Sequence, residues 1–327
     1  MPETAFLALD LGGTKIAGGL VTSDGTVLER HTTLTDAEAG RDGILQRLTA
    51  AARHLVHLAG ERHYTVTAVG VATPGLMDYA TGRIRFATST LKNWIGTELQ
   101  QHMEDQLDLP CRIENDANAG AWAEYCWGAG RGVQDMLYIS VGTGIGGGLV
   151  LGGRLIQGAV GGAGGFGHVS IDHHGPRCYC GNYGCVELYA SGKAVAQSLR
   201  ADNRGLPLAP PDPNHPEELR EVRAVVELAA AGSAGARQVL AEMGDALGMA
   251  AASAANLVNP SLVVVGGGIV HAGQYLLEPM ERTLKACTLP PVGEHVQLRA
   301  AQLGSEAGLL GAALVAMRVL GEPIDGV

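Results

Sequence analysis

Unbroken apolar blocks closed by glycine turns alternate along this chain with segments whose apolar residues recur every three to four positions. Phe6–Leu11 reads as a buried strand, Gly12–Lys15 as a turn, Ile16–Val21 as a second strand and Val27–Leu34 as a third. Arg41–Leu58 carries Ile44, Leu48, Ala51, Ala52 and Leu55 on one helical face. A strand at Val66–Val71, a helix at Thr97–Leu107, a strand at Cys111–Glu114 and a helix opening at Asn118 follow. Asp135–Val141 then begins a second strand, glycine turn and strand, LYISVGTGIGGGLVLGG, laid out like the opening FLALDLGGTKIAGGLV. Further on, helices are expected over Leu188–Leu199, Glu217–Ala230, Ser233–Val258, Gln274–Cys287 and Glu306–Leu320. Strands are expected at Leu262–Val265 and Val296–Ala300, and a surface loop over Asn203–Pro216. Strand–helix alternation with a repeated hairpin predicts an α/β fold built from two related halves.

Composition narrows the functional classes. The net charge of −10 argues against a nucleic-acid surface, and 46% hydrophobic residues argue against disorder. The N-terminal residues have neither the basic region nor the long apolar run of a signal peptide, and the most apolar helical stretch, Ala246–Val258, is too short to span a bilayer. A cytoplasmic protein without membrane or nucleic-acid partners is expected.

Chemistry concentrates in a few stretches. His168, Cys178, Cys180 and Cys185 fall in an H-x9-C-x-C-x4-C spacing within the glycine-rich loop 161–187. Three thiols and an imidazole are a ligand set for a closed tetrahedral zinc site; the competing reading is disulfides or free thiols. Cys111, Cys126 and Cys287 stand alone and read as small core residues. Asp10-Leu-Gly12-Gly13-Thr14-Lys15 sets a carboxylate at a strand end before backbone amides that suit a phosphate and Mg²⁺, or makes a plain hairpin turn. Gly142-Thr143-Gly144-Ile-Gly-Gly-Gly matches a dinucleotide fingerprint, but a strand rather than a helix follows, which favours a second phosphate turn. Gly266-Gly267-Gly268 follows a buried strand and suits a nucleotide contact or a tight turn. Glu114-Asn115-Asp116 sits where a strand meets a helix; it reads as an N-cap or as a general base, Asp116, beside a hydroxyl-binding Asn115.

In order along the chain, DLGGTK, GVATPG, ENDANAGAWAE, VGTGIGGG, GH-x9-CYCGNYGCVE-x2-ASG and VVVGGG resemble the ROK family (repressor, open reading frame, kinase), and within it the glucokinase-like sugar kinases. The resemblance runs essentially end to end. It implies the actin-like, hexokinase-type (ribonuclease H-like) fold: a small α/β domain of residues 1–117 plus about 305–327, a large one of 118–304 that carries the zinc loop, and a cleft between them for sugar and ATP. It implies ATP-dependent phosphorylation of a hexose 6-hydroxyl, glucose first, with Mg²⁺ accompanying ATP, a structural Zn²⁺, and assembly as a homodimer or homotetramer. Asp116 would be the base; Gly75, Asn115, His168 and Glu187 would contact sugar hydroxyls. Asp10, Gly12, Gly13, Thr14, Lys15, Thr143, Gly144, Gly267 and Gly268 would surround ATP and magnesium. The ring of His168 would serve zinc with one nitrogen and sugar with the other.

One departure bears on the substrate. Where the family reads Glu-x-Gly-His, this chain has Gly165-Phe166-Gly167-His168. Loss of a hydrogen bond to a substrate hydroxyl costs about 1–3 kcal/mol unless water replaces it. Kinases of N-acetylmannosamine, N-acetylglucosamine or another hexose are therefore an alternative. A sugar-sensing repressor would need a DNA-binding domain, for which the nine residues before Asp10 are too few, and a non-catalytic sugar-binding protein sits poorly with Asp10, Asn115 and Asp116.

Overall fold

The computed structural model describes residues 3–87, 90–202, 204–207 and 217–321; the surface loop expected over Asn203–Pro216 lies largely outside them. In chain order the strands are β1 (Glu3–Leu11), β2 (Lys15–Val21), β3 (Val27–Leu34), β4 (Tyr64–Thr73), β5 (Leu76–Asp78), β6 (Arg83–Phe86), β7 (Cys111–Asn115), β8 (Met136–Val141), β9 (Ile145–Leu151), β10 (Arg154–Ile156), β11 (Leu262–Gly266) and β12 (Gln297–Ala300). The helices are α1 (Gly40–Glu61), α2 (Leu99–Leu107), α3 (Asp116–Trp127), α4 (Glu187–Ala190), α5 (Gly192–Ala201), α6 (Glu217–Ala230), α7 (Ala234–Val258), α8 (Gln274–Cys287), α9 (Pro290–His295) and α10 (Ala307–Val319).

The chain forms two compact units. The first takes the chain up to Arg131, Leu155–Ala163 and the chain from Ser305; the second takes Gly132–Arg154 and Gly164–Gly304. Their sheets repeat one plan, β2-β1-β4-β7 with β3 at its edge in the first and β9-β8-β11-β12 in the second. In each, a hairpin opens the sheet and two later strands add in parallel to its first strand. The repeated hairpin seen in the sequence is thus the signature of a repeated sheet.

In the first unit β1 is buried on both faces, which is why its sequence is an apolar run rather than an alternation. Leu7, Leu9 and Leu11 share a core with Val69, Val71 and the α1 residues Ile44, Leu48, Ala51, Ala52 and Leu55. Gly70, between those two valines, points the other way, toward α10. A Cβ at Gly70 would lie 1.8 Å from the Ala312 carbonyl oxygen, so helix and strand approach backbone to backbone. Gly311 lies equally close to Ala119 of α3. Through these contacts α3 falls in the first unit with α10, past the boundary expected at residue 117, and Leu155–Ala163 joins them. The second unit packs α7, whose Leu240, Met243, Leu247, Ala250 and Ala251 are buried, against α8 through Leu276, Met280 and Leu284.

Three expectations change. The single helix over Leu188–Leu199 is two, because Ser191 leaves helical geometry and caps α5, its hydroxyl accepting from Ala194 N at 3.1 Å. Cys287 is exposed at the end of α8 rather than buried, whereas Cys111 and Cys126 are core. Short elements without a long periodic pattern, β5, β6, β10 and α9, were not foreseen. Among the described residues no helix is long and apolar enough to cross a membrane.

The backbone contact at Gly70 gives a direct test. Gly70→Ala is expected to destabilise the chain by about 3 kcal/mol, measured by urea unfolding, because a carbonyl of a packed helix cannot yield as a side chain does.

Candidate active site and metal cluster

Parallel strands in register deliver their C-terminal ends to one edge of a sheet, and in the first unit three such ends carry the predicted residues. Asp10 pairs with Ala72, and Thr73 pairs with Asn115, so Asp10, the Pro74-Gly75 turn and Asn115-Asp116 share that edge. Beyond β1 the hairpin closes through Gly12 N donating to Lys15 O at 3.0 Å. Gly13 is pressed against the Thr90 methyl, while Thr14 and Lys15 are exposed.

Asn115 is the N-cap of α3: its Oδ1 accepts from Ala117 N at 3.0 Å and Asn118 N at 3.1 Å. Its Nδ2 donates to Gly75 O at 3.0 Å. Capping and site formation are therefore one act, since the cap ties the strand end to the Gly75 turn and leaves one amide proton for a ligand. Asp116 follows as the first helical residue, accepting from Ala117 N at 2.9 Å. Asp10 and Asp116 are both half-buried. Burial, then the neighbouring Asp116, raises Asp10 to about 7, against a partial offset from Lys15. Burial also raises Asp116. Two carboxyls within electrostatic reach of one another favour protonation of one of them or a bound cation.

Glu114, given no separate role in the sequence analysis, holds this edge together. It is 2% exposed and accepts from Asn115 N at 2.8 Å, Asn118 Nδ2 at 3.0 Å, Gln157 Nε2 at 2.6 Å and the Tyr79 hydroxyl. The carboxylate and burial together keep the Tyr79 phenol protonated by raising its pKa, burial being the larger cause. Tyr79 and Gln157 lie in no recognisable motif; only folding brings them to Glu114.

In the second unit the same logic joins β8 to β11. Ser140 pairs with Gly266, so the Gly142-Thr143-Gly144 turn and Gly267-Gly268 emerge together. Gly267, at φ 84°, lets the Val141 carbonyl sit where a Cβ would be, at 2.2 Å. Gly192 N and Lys193 N donate to Gly142 O and Thr143 O at 2.9 and 3.2 Å, binding the turn to the start of α5. A strand, β9, follows the turn, as the sequence required. Glu187 opens α4, and its Oε2 accepts from Ile145 N at 2.7 Å, directly after Gly144.

The cysteine loop folds by local hydrogen bonds. Val186 N donates to Val169 O and Ile171 N to Gly184 O, each at 2.9 Å, which lays Cys185 beside His168. A turn closed by Gly181 N to Cys178 O at 3.0 Å presents Cys178 and Cys180. The four ligand atoms lie within 4.8 Å of one another. Cys180 and Cys185 sulfurs are 3.6 Å apart, and Cys178 Sγ is 3.8 Å from His168 Nδ1. Sulfurs bound tetrahedrally to zinc at about 2.3 Å stand about 3.8 Å apart, whereas a disulfide needs about 2.0 Å. The donor set fits zinc, with Nδ1 of His168 toward the thiols and Nε2 turned away.

Two measurements follow. The purified chain is expected to carry about one zinc ion, by plasma emission spectrometry, and Cys185→Ser to lose it with a fall in Tm. For Asp10, the folded-state pKa of about 7 exceeds the unfolded 3.8, so the folded chain binds the extra proton and ionisation opposes folding. This penalty is absent below pH 3.8, grows with pH and is complete above about 7. Without nucleotide or Mg²⁺, Asp10→Asn is therefore expected to gain stability relative to the parent as pH rises through that window, reaching on the order of a few kcal/mol. A Tm difference independent of pH would contradict the raised Asp10.

The comparisons with known proteins agree with this architecture. The ROK family model matches residues 6–319. The glucokinase of Thermotoga maritima is 32% identical over 98% of this chain and 100% of its own length. The N-acetylmannosamine kinase of Escherichia fergusonii is 33% identical, over 95% of this chain and 97% of its own. The crystal structure of a ROK family glucokinase from Streptomyces griseus in complex with glucose and AMPPNP is 34% identical, with a TM-score of 0.81 over 96% of this chain and 99% of that one. With two sheets of one repeated plan and a family match across nearly its whole length, this chain has the actin-like, hexokinase-type α/β fold and belongs to the ROK family.

Proposed function

We propose that this protein is an ATP-dependent hexose kinase that transfers the γ-phosphoryl group of ATP to a sugar 6-hydroxyl, with glucose the leading substrate. The observation that carries the reading is the recessed Asp116 carboxylate at the start of α3, on the same sheet edge as Asp10 and the Gly12-Gly13 turn. Support comes from the relatives, which include glucokinases and one bound to glucose and AMPPNP.

In this reading Asp116 accepts the proton of the 6-hydroxyl as its oxygen bonds to the γ-phosphorus and the bond to ADP breaks. Asn115, Gly75, His168 and Glu187 orient the sugar. The amides of Gly12, Gly13 and Thr14, with Lys15 and the turns at Thr143-Gly144 and Gly267-Gly268, receive the phosphates, and Asp10 faces the magnesium that accompanies them. Mg²⁺ arriving with ATP neutralises phosphate charge, and the two recessed carboxyls of Asp10 and Asp116 suit a cation nearby. His168, Cys178, Cys180 and Cys185 would hold a zinc ion that braces the loop carrying His168.

A second reading, an N-acetylhexosamine kinase, is favoured by one observation. Gly165 has no side chain, and the N-acetylmannosamine kinase relative is as similar as the glucokinases. An ADP-release assay with Mg-ATP over glucose, mannose, fructose, N-acetylglucosamine and N-acetylmannosamine separates the two. Turnover is expected on glucose, reduced roughly 10³-fold in Asp116→Asn. Turnover confined to an N-acetylated sugar would replace glucose, and no turnover on any sugar would overturn the kinase reading.

A further inference from the structure

Tyr179 occupies the one position between Cys178 and Cys180, so the two flanking candidate ligands fix where its ring stands. The ring meets His168 edge-on, with centroids 5.2 Å apart and planes at 85°. Its hydroxyl oxygen is 3.3 Å from His168 Nε2. The same hydroxyl lies within hydrogen-bonding range of the Glu187 carboxylate. Tyr179 nonetheless remains 56% exposed.

A metal ion held at Nδ1 of His168 would set the direction of the protons in this row. His168 Nδ1 faces Cys178 Sγ, and an imidazole that gives Nδ1 to a metal carries its hydrogen on Nε2. Nε2–H then donates to the Tyr179 oxygen, and the Tyr179 O–H donates to Glu187. Glu187 in turn accepts from Ile145 N at 2.7 Å, beside the Gly144 turn. A phenol oxygen has a second acceptor lone pair, and that one is left for an outside hydroxyl. Gly165 precedes His168 by three residues in a 3₁₀ turn, a spacing at which side chains eclipse, and it has none.

We propose that Tyr179 is a substrate-binding residue: its phenol oxygen, held between His168 and Glu187, is a hydrogen-bonding contact for a sugar hydroxyl. The proposal rests on the reading in which His168 and Glu187 face the sugar. With the imidazole N–H given to the phenol oxygen and the phenol O–H given to Glu187, the row presents acceptor oxygens, so a sugar hydroxyl donates to Tyr179. The sequence alone does not mark Tyr179, because the position between the two cysteines carries no chemical requirement of its own for the metal.

The test uses the full chain with zinc bound and the variants Tyr179→Phe and, as a surface control, Tyr183→Phe. Steady-state kinetics on the sugar that turns over best are paired with calorimetric binding of that sugar without nucleotide, zinc content and Tm. Tyr179→Phe is expected to raise sugar KM and Kd roughly tenfold with kcat within about twofold, zinc content and Tm staying at the parent's values, and Tyr183→Phe is expected to change nothing. Unchanged or lowered KM and Kd overturn the proposal. So does a joint loss of sugar affinity, zinc and Tm, which would make Tyr179 a support of the metal loop. If the parent binds sugar but phosphorylates none, the kinase reading fails while the calorimetry still decides on Tyr179. If the parent binds no sugar, both fall.

Discussion

The register of parallel strands is the constraint on which everything else in this protein depends. A parallel ladder forces every strand end onto the same edge, so Asp10 at the end of β1, Gly75 after β4 and Asn115-Asp116 at the end of β7 become neighbours although up to about a hundred residues separate them. The second unit repeats the device, and β8 and β11 bring Gly142–Gly144 beside Gly267-Gly268. In both units buried apolar strands fix the register, and turns that carry no core residues are free to hold chemistry.

Around that edge, stability and site geometry draw on the same hydrogen bonds. Glu114 is a buried carboxylate that survives because four donors satisfy it, and two of them belong to Asn115 and Asn118, the residues on either side of Asp116 and Ala117. Asn115 caps α3 and holds the Gly75 turn with one amide. The N-cap reading and the functional reading of this motif were competitors in the sequence; in the fold they are compatible. Asp10 and Asp116 are the opposite case. Their burial is unfavourable to the free protein, as the raised pKa of Asp10 indicates, and such strain concentrates where a ligand is to be bound.

The cysteine loop shows a different division. Its four ligand atoms converge through short-range backbone hydrogen bonds within about twenty residues, so their spacing alone was enough to name them. The line from His168 through Tyr179 to Glu187 and Ile145 was not legible in this way, since it needs the β9 turn to meet the start of α4.

By itself the sequence determined the elements with long apolar runs or sustained helical period, the repeated hairpin, the candidate metal-ligand set and the glycine turns, because each is encoded by residues close together in the chain. Only the tertiary structure decided the rest. Tyr79 and Gln157 meet Glu114 from 35 and 43 residues away, and Gly70 earns its place only once α10 lies on it. Ser191 ends one helix and caps the next, which a periodic reading of Leu188–Leu199 passes over. The short strands β5, β6 and β10 hold too few residues for any period to appear, and they form because neighbouring backbone offers hydrogen bonds. Local pattern records what a segment prefers; long-range packing chooses its partners.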